Sequence, residues 1–445
     1  MNWLKTLFPR SKKIPTPKRV PRAEHPISRS LLPSGTLKVL YGLKDAGYEA
    51  YVVGGGVRDL LAGMEPKDFD IATNARPEEV RQIFRSCRLV GRRFVIAHVR
   101  FGDEISEVTT FRGPITESHE RDETGRILAD NEYGTLESDA FRRDFTVNAM
   151  YYDIRDFSIV DFAGGLDDIK AGVIRLIGDP ELRYREDPVR MLRAVRIANK
   201  LKFHIEKRTA APIRKLAPLL REIPAARLFD EVVKLLQCRD AVANLRGLRE
   251  YGLLPHLLPH ADTAMARPQA CDFIERALEN TAERIAADQT VSAAFLYAAL
   301  LWPAVQARMQ KLCNGDDGHT NIAIAQASDE ILLESQRHIV IPKRFSVPMR
   351  EIWALQPRFD MRRGGRAQRL LTHPRFRAAY DFLLLRAQSG EVSQELADWW
   401  TQAQTGGGLP PLTQAAATEE GEAPRKRRRR GGRGRRRPGA QPVAE

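Results

Sequence analysis

The hydrophobic period changes once along this chain, at about residue 180, and that change limits the folds open to it. Upstream, short apolar runs alternate with polar residues between glycine turns, which is the pattern of strands. Downstream, to about residue 403, apolar residues recur at three- and four-residue spacing, which is the pattern of packed helices. The fold class is therefore read as α+β: a head built on a mixed sheet with helices, then an all-helical neck and body. A length of 445 residues with 43% apolar composition supports several real cores and excludes a wholly disordered chain. The boundaries read as a basic arm over 1–30, a head over 31–175, a neck over 176–260, a body over 261–404 and a low-complexity, disordered tail over 405–445.

Within the head, LKVLYGLKDAG reads as a helix and YVV as a strand ending at Val53. Gly54, Gly55 and Gly56 lead into a short helix, VRDLLAG, that Gly63 can cap. A second strand carries DFDIAT over 68–73. RFVIAHVRF and EISEVTTF flank Gly102-Asp103 as a hairpin, and YYDI and SIVDF flank Arg155–Phe157 as another. Residues 112–138 lack a pattern and are expected to form a loop or flap. The apolar stretch from Val291 to Trp302, closed by Pro303, is shorter than the roughly 20 residues a spanning helix needs. It reads as a buried helix, and no stable membrane insertion is expected.

The net charge of +14 is local. Residues 424–438 hold ten Lys or Arg and no acid, and residues 1–22 hold seven more and no acid, so the rest of the chain is slightly acidic. A like-charged run such as Arg427, Arg428, Arg429, Arg430, Arg435, Arg436 and Arg437 cannot pack, and it suits RNA phosphates through release of condensed counterions. No groove-reading DNA motif is present. The four cysteines are scattered and the N-terminus lacks an apolar signal segment, so a reducing, cytoplasmic setting is expected.

Asp68 and Asp70 carry the chemistry. Two residues apart on a strand, they face one side while Phe69 and Ile71 face the core. Paired carboxylates repel unless a cation neutralises them, and hard oxygen donors of this kind suit Mg²⁺. Two such ions can clamp the attacking and leaving oxygens of a phosphoryl displacement. The strand-Gly54-Gly55-Gly56-helix turn upstream offers bare N–H groups to a triphosphate, although it matches neither the P-loop nor the dinucleotide fingerprint. Read alone, Arg58 and Asp59 are an ordinary ion pair on that helix. In DAFRRDFTVNAM, read as a helix, Asp139 meets Arg142 and Arg143, and Asp144 meets Asn148. In EDPVRMLRAVR, Asp187 and Pro188 make a strong helix start, and Asp187, Arg190 and Arg193 form a polar ladder.

GGGVRDLLAG with KDFDIAT, followed by DAFRRDFTVNAM and EDPVRMLRAVR, resembles the class II nucleotidyltransferases, the family of the bacterial poly(A) polymerases and the CCA-adding tRNA enzymes. The resemblance covers about residues 24–400 and implies a nucleotidyltransferase head. It assigns the catalytic metals to Asp68 and Asp70, and the triphosphate to Gly55, Gly56 and Arg58. It implies that Arg142 and Arg143 contact phosphate or ribose, and that Asp187 and Arg190 read the base, with Arg193, Arg196 and Arg227 as scaffold or substrate contacts. Asp144 is the preferred third catalytic acid and Glu107 the competing one, or an added metal ligand. Nothing is assigned to 114–137. The cofactor implied is two Mg²⁺ ions, with Mn²⁺ as the alternative.

LVGRRFVIAHVRFGDEISEVTTFRG, IPKRF, HPRFRAAYDFLLLRA and the arginine-rich tail are similar to the polyadenylating branch. That branch implies template-independent addition of AMP from ATP to single-stranded RNA 3′ ends, with RNA-decay proteins as partners. A CCA-adding enzyme is the runner-up, and a non-catalytic RNA-binding adaptor is the alternative from another class.

Overall fold

The structure, a computed structural model, describes residues 16–91, 94–114, 132–313 and 320–405. The head is an eight-stranded sheet of β1 (Lys18–Val20), β2 (Ala50–Val53), β3 (Asp70–Thr73), β4 (Cys87–Val90), β5 (Ile96–Phe101), β6 (Glu104–Thr110), β7 (Met150–Asp153) and β8 (Ile159–Asp161). The order is β1-β8-β7-β2-β3-β6-β5-β4, with β3 and β6 parallel and the other neighbours antiparallel. The expected hairpins β5–β6 and β7–β8 are both present.

Five head helices surround the sheet: α1 (Ser34–Asp45), α2 (Gly55–Leu61), α3 (Pro77–Ile83), α4 (Leu136–Arg142) and α5 (Gly165–Ala171). Two-residue alternation sorts the strands into two faces. Val52, Ile71, Ala97, Val99 and Val108 pack on one face with Leu40 and Leu43 of α1 and Val80 of α3. On the other face Tyr51, Val53, Ala72 and Tyr151 pack with Phe111 and with Ala140 of α4. That packing stops short of Asp70 and Glu107, which share this second face by register.

The neck begins with α6 (Pro180–Glu186), α7 (Val189–Leu201) and, after two single-turn helices, α8 (Ala225–Leu236). One hydrophobic core runs without a break from Phe145 through Leu192, Leu235, Phe273 and Trp302 to Leu385. The expected neck–body boundary at 260 therefore falls inside continuous packing. A separate core of Leu355, Phe359, Phe376 and Trp400 holds the last helices.

Several expectations need correction. Residues 16–30 are not a loose arm: β1 pairs with β8, and His25 and Ile27 are buried. The loop expected over 112–138 ends early, because Thr135 caps α4 by accepting from Ser138 N–H. DAFRRDFTVNAM is not one helix. α4 stops at Arg142, Arg143 is extended, and a single 3₁₀ turn precedes β7. Pro303 does not close its helix either, since Ala293–Cys313 runs through it. Proline removes one donor there, but near-complete burial of the flanking Leu296–Val305 outweighs that loss. β4 and α3 were not anticipated. Residues 1–15, 115–131 and the tail from 406, with its arginines 427–430 and 435–437, lie outside the described residues.

Candidate active site

β2 delivers the chain into the glycine turn. Gly54 has φ +75° and ψ −132°, a conformation open to glycine and costly for other residues. Arg58 N–H then bonds Gly54 O at 3.1 Å and starts α2. A methyl on Gly56 would lie 2.8 Å from the Phe69 ring and 3.3 Å from Asp68 O, so the approach to β3 packs directly on the first turn of α2. A methyl on Gly54 would lie 3.6 Å from both Asp70 Oδ2 and Arg143 Nη1. The glycine turn thus faces one carboxylate and one guanidinium. The first N–H groups of α2 have no acceptor within the helix, which favours an anion there.

β3 starts at Asp70, and Asp68 lies in the exposed segment just before it rather than on the strand as expected. Asp70 is in register with Val53 on one side and Glu107 on the other. Burial pushes the Asp70 carboxyl above the usual range; Glu107 and Asp68 add to this, while Arg143 and Arg193 oppose it. Partly buried, mutually repelling oxygens are the donor set that a hard divalent cation relieves. Among the described residues no three His, Cys, Asp or Glu side chains form a cluster able to hold a metal ion. Glu107 therefore does not complete a three-carboxylate shell as expected; its Oε1 lies 3.7 Å from His98 Nε2 across the hairpin. The donors fit an ion that takes the rest of its shell from water and substrate phosphates.

Asp144 departs from its expected role as the third catalytic acid. Its Oδ1 accepts from Phe145 N–H at 2.8 Å and Asn148 Nδ2 at 3.0 Å, and its Oδ2 accepts from Arg193 Nε at 2.6 Å. Burial alone would raise this carboxyl, but Arg193 and these donors hold it well below the usual range. A carboxylate so committed acts as scaffold.

Arg58 lies against the glycine turn where it was expected, its Nη2 3.5 Å from a methyl placed on Gly55. It is 7% exposed, donates twice to Asp59 Oδ1, and donates from Nη1 to Asn148 Oδ1 at 2.6 Å. Asp59 Oδ2 in turn accepts from Lys200 Nζ at 2.6 Å. A chain of six side chains therefore leaves α7 at Arg193, passes through Asp144, Asn148, Arg58 and Asp59, and returns to α7 at Lys200. Positions 193 and 200 lie two turns apart on one side of the helix. The glycine-turn helix and the neck helix are thereby fixed to each other.

Arg143 is anchored rather than free. Its Nε and Nη2 donate to Asp139 Oδ2 at 3.0 and 2.8 Å, its Nε also reaches Tyr151 OH at 3.0 Å, and its carbon lies 5.2 Å above the Tyr151 ring. Asp139 Oδ1 accepts from Arg112 Nε at 2.8 Å. Burial raises the Asp139 carboxyl, yet Arg143, Arg112 and Tyr151 together hold it far below its ordinary value. This support leaves Arg143 Nη1 at the glycine turn. Arg142 is buried and donates to Gly113 O at 3.0 Å.

Asp187 and Arg190 do not pair as expected. Asp187 Oδ2 accepts from Arg227 Nη2 of α8 at 2.8 Å, and its Oδ1 caps Val189 N–H at 3.3 Å. Arg190 Nη1 donates to Glu186 Oε2 at 3.0 Å and Arg183 O at 2.6 Å. Arg183 also holds the backbone oxygens of Arg142 and Arg143, at 2.9 and 2.7 Å. The Asp187–Arg227 pair is the donor–acceptor unit at the start of α7. Asn148 meets Asp144 as read, but Lys200 and Arg183 were missed as members of the site; their bonds to Asp59 and to the Arg143 backbone span 141 and 40 positions, and no local pattern announces them.

Comparison with known proteins agrees with this architecture. Residues 50–175 match the family model "Poly A polymerase head domain", 202–265 match "Probable RNA and SrmB- binding site of polymerase A", and 316–437 match "Polymerase A arginine-rich C-terminus". The chain is 49% identical over 401 residues to poly(A) polymerase I of Salmonella typhimurium, covering 86% of this chain and 85% of that enzyme. It is 48% identical over 422 residues to poly(A) polymerase I of Escherichia coli O157:H7, covering 91% and 89%. A CCA-adding enzyme of Lactobacillus helveticus is 43% identical over 45% of this chain and 49% of its own. Among solved structures, a CCA-adding enzyme in apo form II superposes with a TM-score of 0.60 at 21% identity, covering 91% of each chain. That likeness carries the fold. The identity and coverage together place this chain in the poly(A) polymerase I family of nucleotidyltransferases.

Proposed function

We propose that this enzyme is a polynucleotide adenylyltransferase that transfers AMP from ATP to RNA 3′ ends without a template. The observation that carries the reading is the meeting of Asp70, Arg143 and the glycine turn in one cleft of a poly(A) polymerase head. Asp68 and Asp70 would hold Mg²⁺, as two ions and with Mn²⁺ as a substitute, and the metal supplies charge neutralisation and Lewis acidity when bound. The N–H groups of Gly55 and Gly56 and the Arg58 guanidinium bind the triphosphate, and Arg143 Nη1 joins them at Gly54. The 3′-oxygen of the RNA attacks the α-phosphorus, the bond to the β-phosphate breaks, and pyrophosphate leaves. No covalent enzyme intermediate forms. Positioning and charge neutralisation lower the barrier, as in other phosphoryl transfers. The Asp187–Arg227 pair offers acceptors and donors to the adenine edge, with Arg190 on the first turn of α7 as the second base reader.

The head is shared with CCA-adding enzymes, and the match beyond the head favours polyadenylation. The four cysteines are unpaired, which supports a cytoplasmic setting and a part in RNA turnover beside RNA-decay proteins. Among the described residues no helix is long and apolar enough to cross a membrane. The test is Asp70→Ala: AMP transfer should vanish while RNA affinity stays within about twofold, and wild-type turnover would refute the assignment.

A further inference from the structure

Beyond the head and neck, the segment around 358–373 builds a small concavity of about 240 Å³ whose charge is one-sided. Arg358, Arg366, Arg369, His373 and Asn321 line it, Met361 and Leu370 supply its apolar wall, and among the described residues no acidic side chain lines it. Arginines on the adjoining helices are matched: Arg350 with Asp329, Arg375 with Glu351, Arg377 with Asp381 and Arg386 with Glu391. Arg358, Arg366 and Arg369 make no ion pair among the described residues. Arg366 and Arg369 lie one turn apart on the helix Gly364–Leu371, and His373 follows four positions later. His373 Nδ1 accepts from Arg375 N–H at 3.1 Å, so its remaining nitrogen, Nε2, is the donor. Three exposed guanidiniums and an imidazole N–H around one hollow present a donor set that an anion complements.

We propose that this hollow is a docking site for a backbone phosphate of single-stranded RNA, with Met361 and Leu370 as an apolar rest for the attached nucleotide. A guanidinium fork matches phosphate oxygens geometrically, and the volume admits about one nucleotide. The site anchors RNA upstream of the 3′ end, since none of its lining residues belongs to the head or neck. The inference rests on the adenylyltransferase reading and adds a folded anchor to the arginine-rich tail.

The experiment uses the full-length chain and fluorescently labelled oligoadenylates of 20 and 5 nucleotides. For the double variant Arg366→Gln/Arg369→Gln, the Kd for the 20-mer should rise about tenfold at low salt. The slope of log affinity against log salt should shrink by about 1, near 0.7 per lost phosphate contact. Extension of the 5-mer should keep its wild-type kcat and KM for ATP. The double Lys variant should retain most of the slope, because the charges remain. Unchanged 20-mer affinity and slope would overturn the proposal, and so would an equal loss on the 5-mer or a changed KM for ATP. Failure of the wild type itself to bind or extend RNA would instead refute the adenylyltransferase reading.

Discussion

Asp70 and Asp144 are both largely shielded from water, yet their carboxyls are pushed in opposite directions. Burial and the carboxylates of Glu107 and Asp68 push Asp70 up, whereas burial of Asp144 is outweighed by Arg193 and two further donors. The first arrangement invites a cation and the second already has one. Asp68→Ala should therefore lower AMP transfer at least about a hundredfold with an unchanged melting temperature, as loss of transition-state charge stabilisation does. Asp139→Asn should behave in the reverse sense. Its carboxylate is buried among Arg112, Arg143 and Tyr151, so the variant should lose about 3 kcal/mol in denaturant unfolding. The pH dependence has a fixed sign. The folded pKa of Asp139 is depressed, so its stabilisation is present above the unfolded value near 3.9 and fades as pH falls below it. Melting temperatures of the wild type should hold above about pH 5 and drop on further acidification, with a shallower drop in Asp139→Asn; a parallel drop would remove Asp139 from the explanation.

Elements built on short-range rules were legible from residues alone. The two hairpins, the glycine turn and the shift from strands to helices follow from alternation and turn chemistry that act within a few positions. The helix expected over 139–150 was not legible, because Arg143 to Phe145 are drawn into extended backbone by long-range bonds: Thr146 N–H to Arg175 O and Ile177 N–H to Asp144 O. The Arg58–Asp59 pair and the Asp187 helix start were read correctly, but their further partners Asn148 and Arg227 come from other elements and were not. Two tests belong to this scale. Gly54→Ala keeps its neighbours at ordinary contact distance but forces alanine to φ +75°, so it should cost about 1–3 kcal/mol and raise KM for ATP. Lys200→Met leaves Asp59 paired with Arg58 and removes the Lys200 tie between α7 and α2, leaving the one through Arg193. KM for ATP should rise several-fold with nearly normal stability, and Lys200→Arg should restore it; an unchanged KM would show that the link does not position the nucleotide.

At the scale of the whole molecule, a mixed-sheet head meets a helical neck that shares one core with the body. The proposed reaction uses both the Asp68 and Asp70 carboxylates and the pair at the start of α7, so a head cut from its neck should not select its base. The RNA contact expected of the arginine-rich tail is tested separately. Removing residues 406–445 takes out ten clustered cations, and RNA affinity should fall about tenfold or more, with a weaker salt dependence and an unchanged KM for ATP. The most direct measurement incubates the intact enzyme with a generic single-stranded RNA, Mg²⁺ and either ATP or CTP, and sizes the products. A long ladder with ATP and little extension with CTP is the expected result. Addition that requires CTP, or that halts after a fixed few nucleotides on tRNA alone, would contradict it.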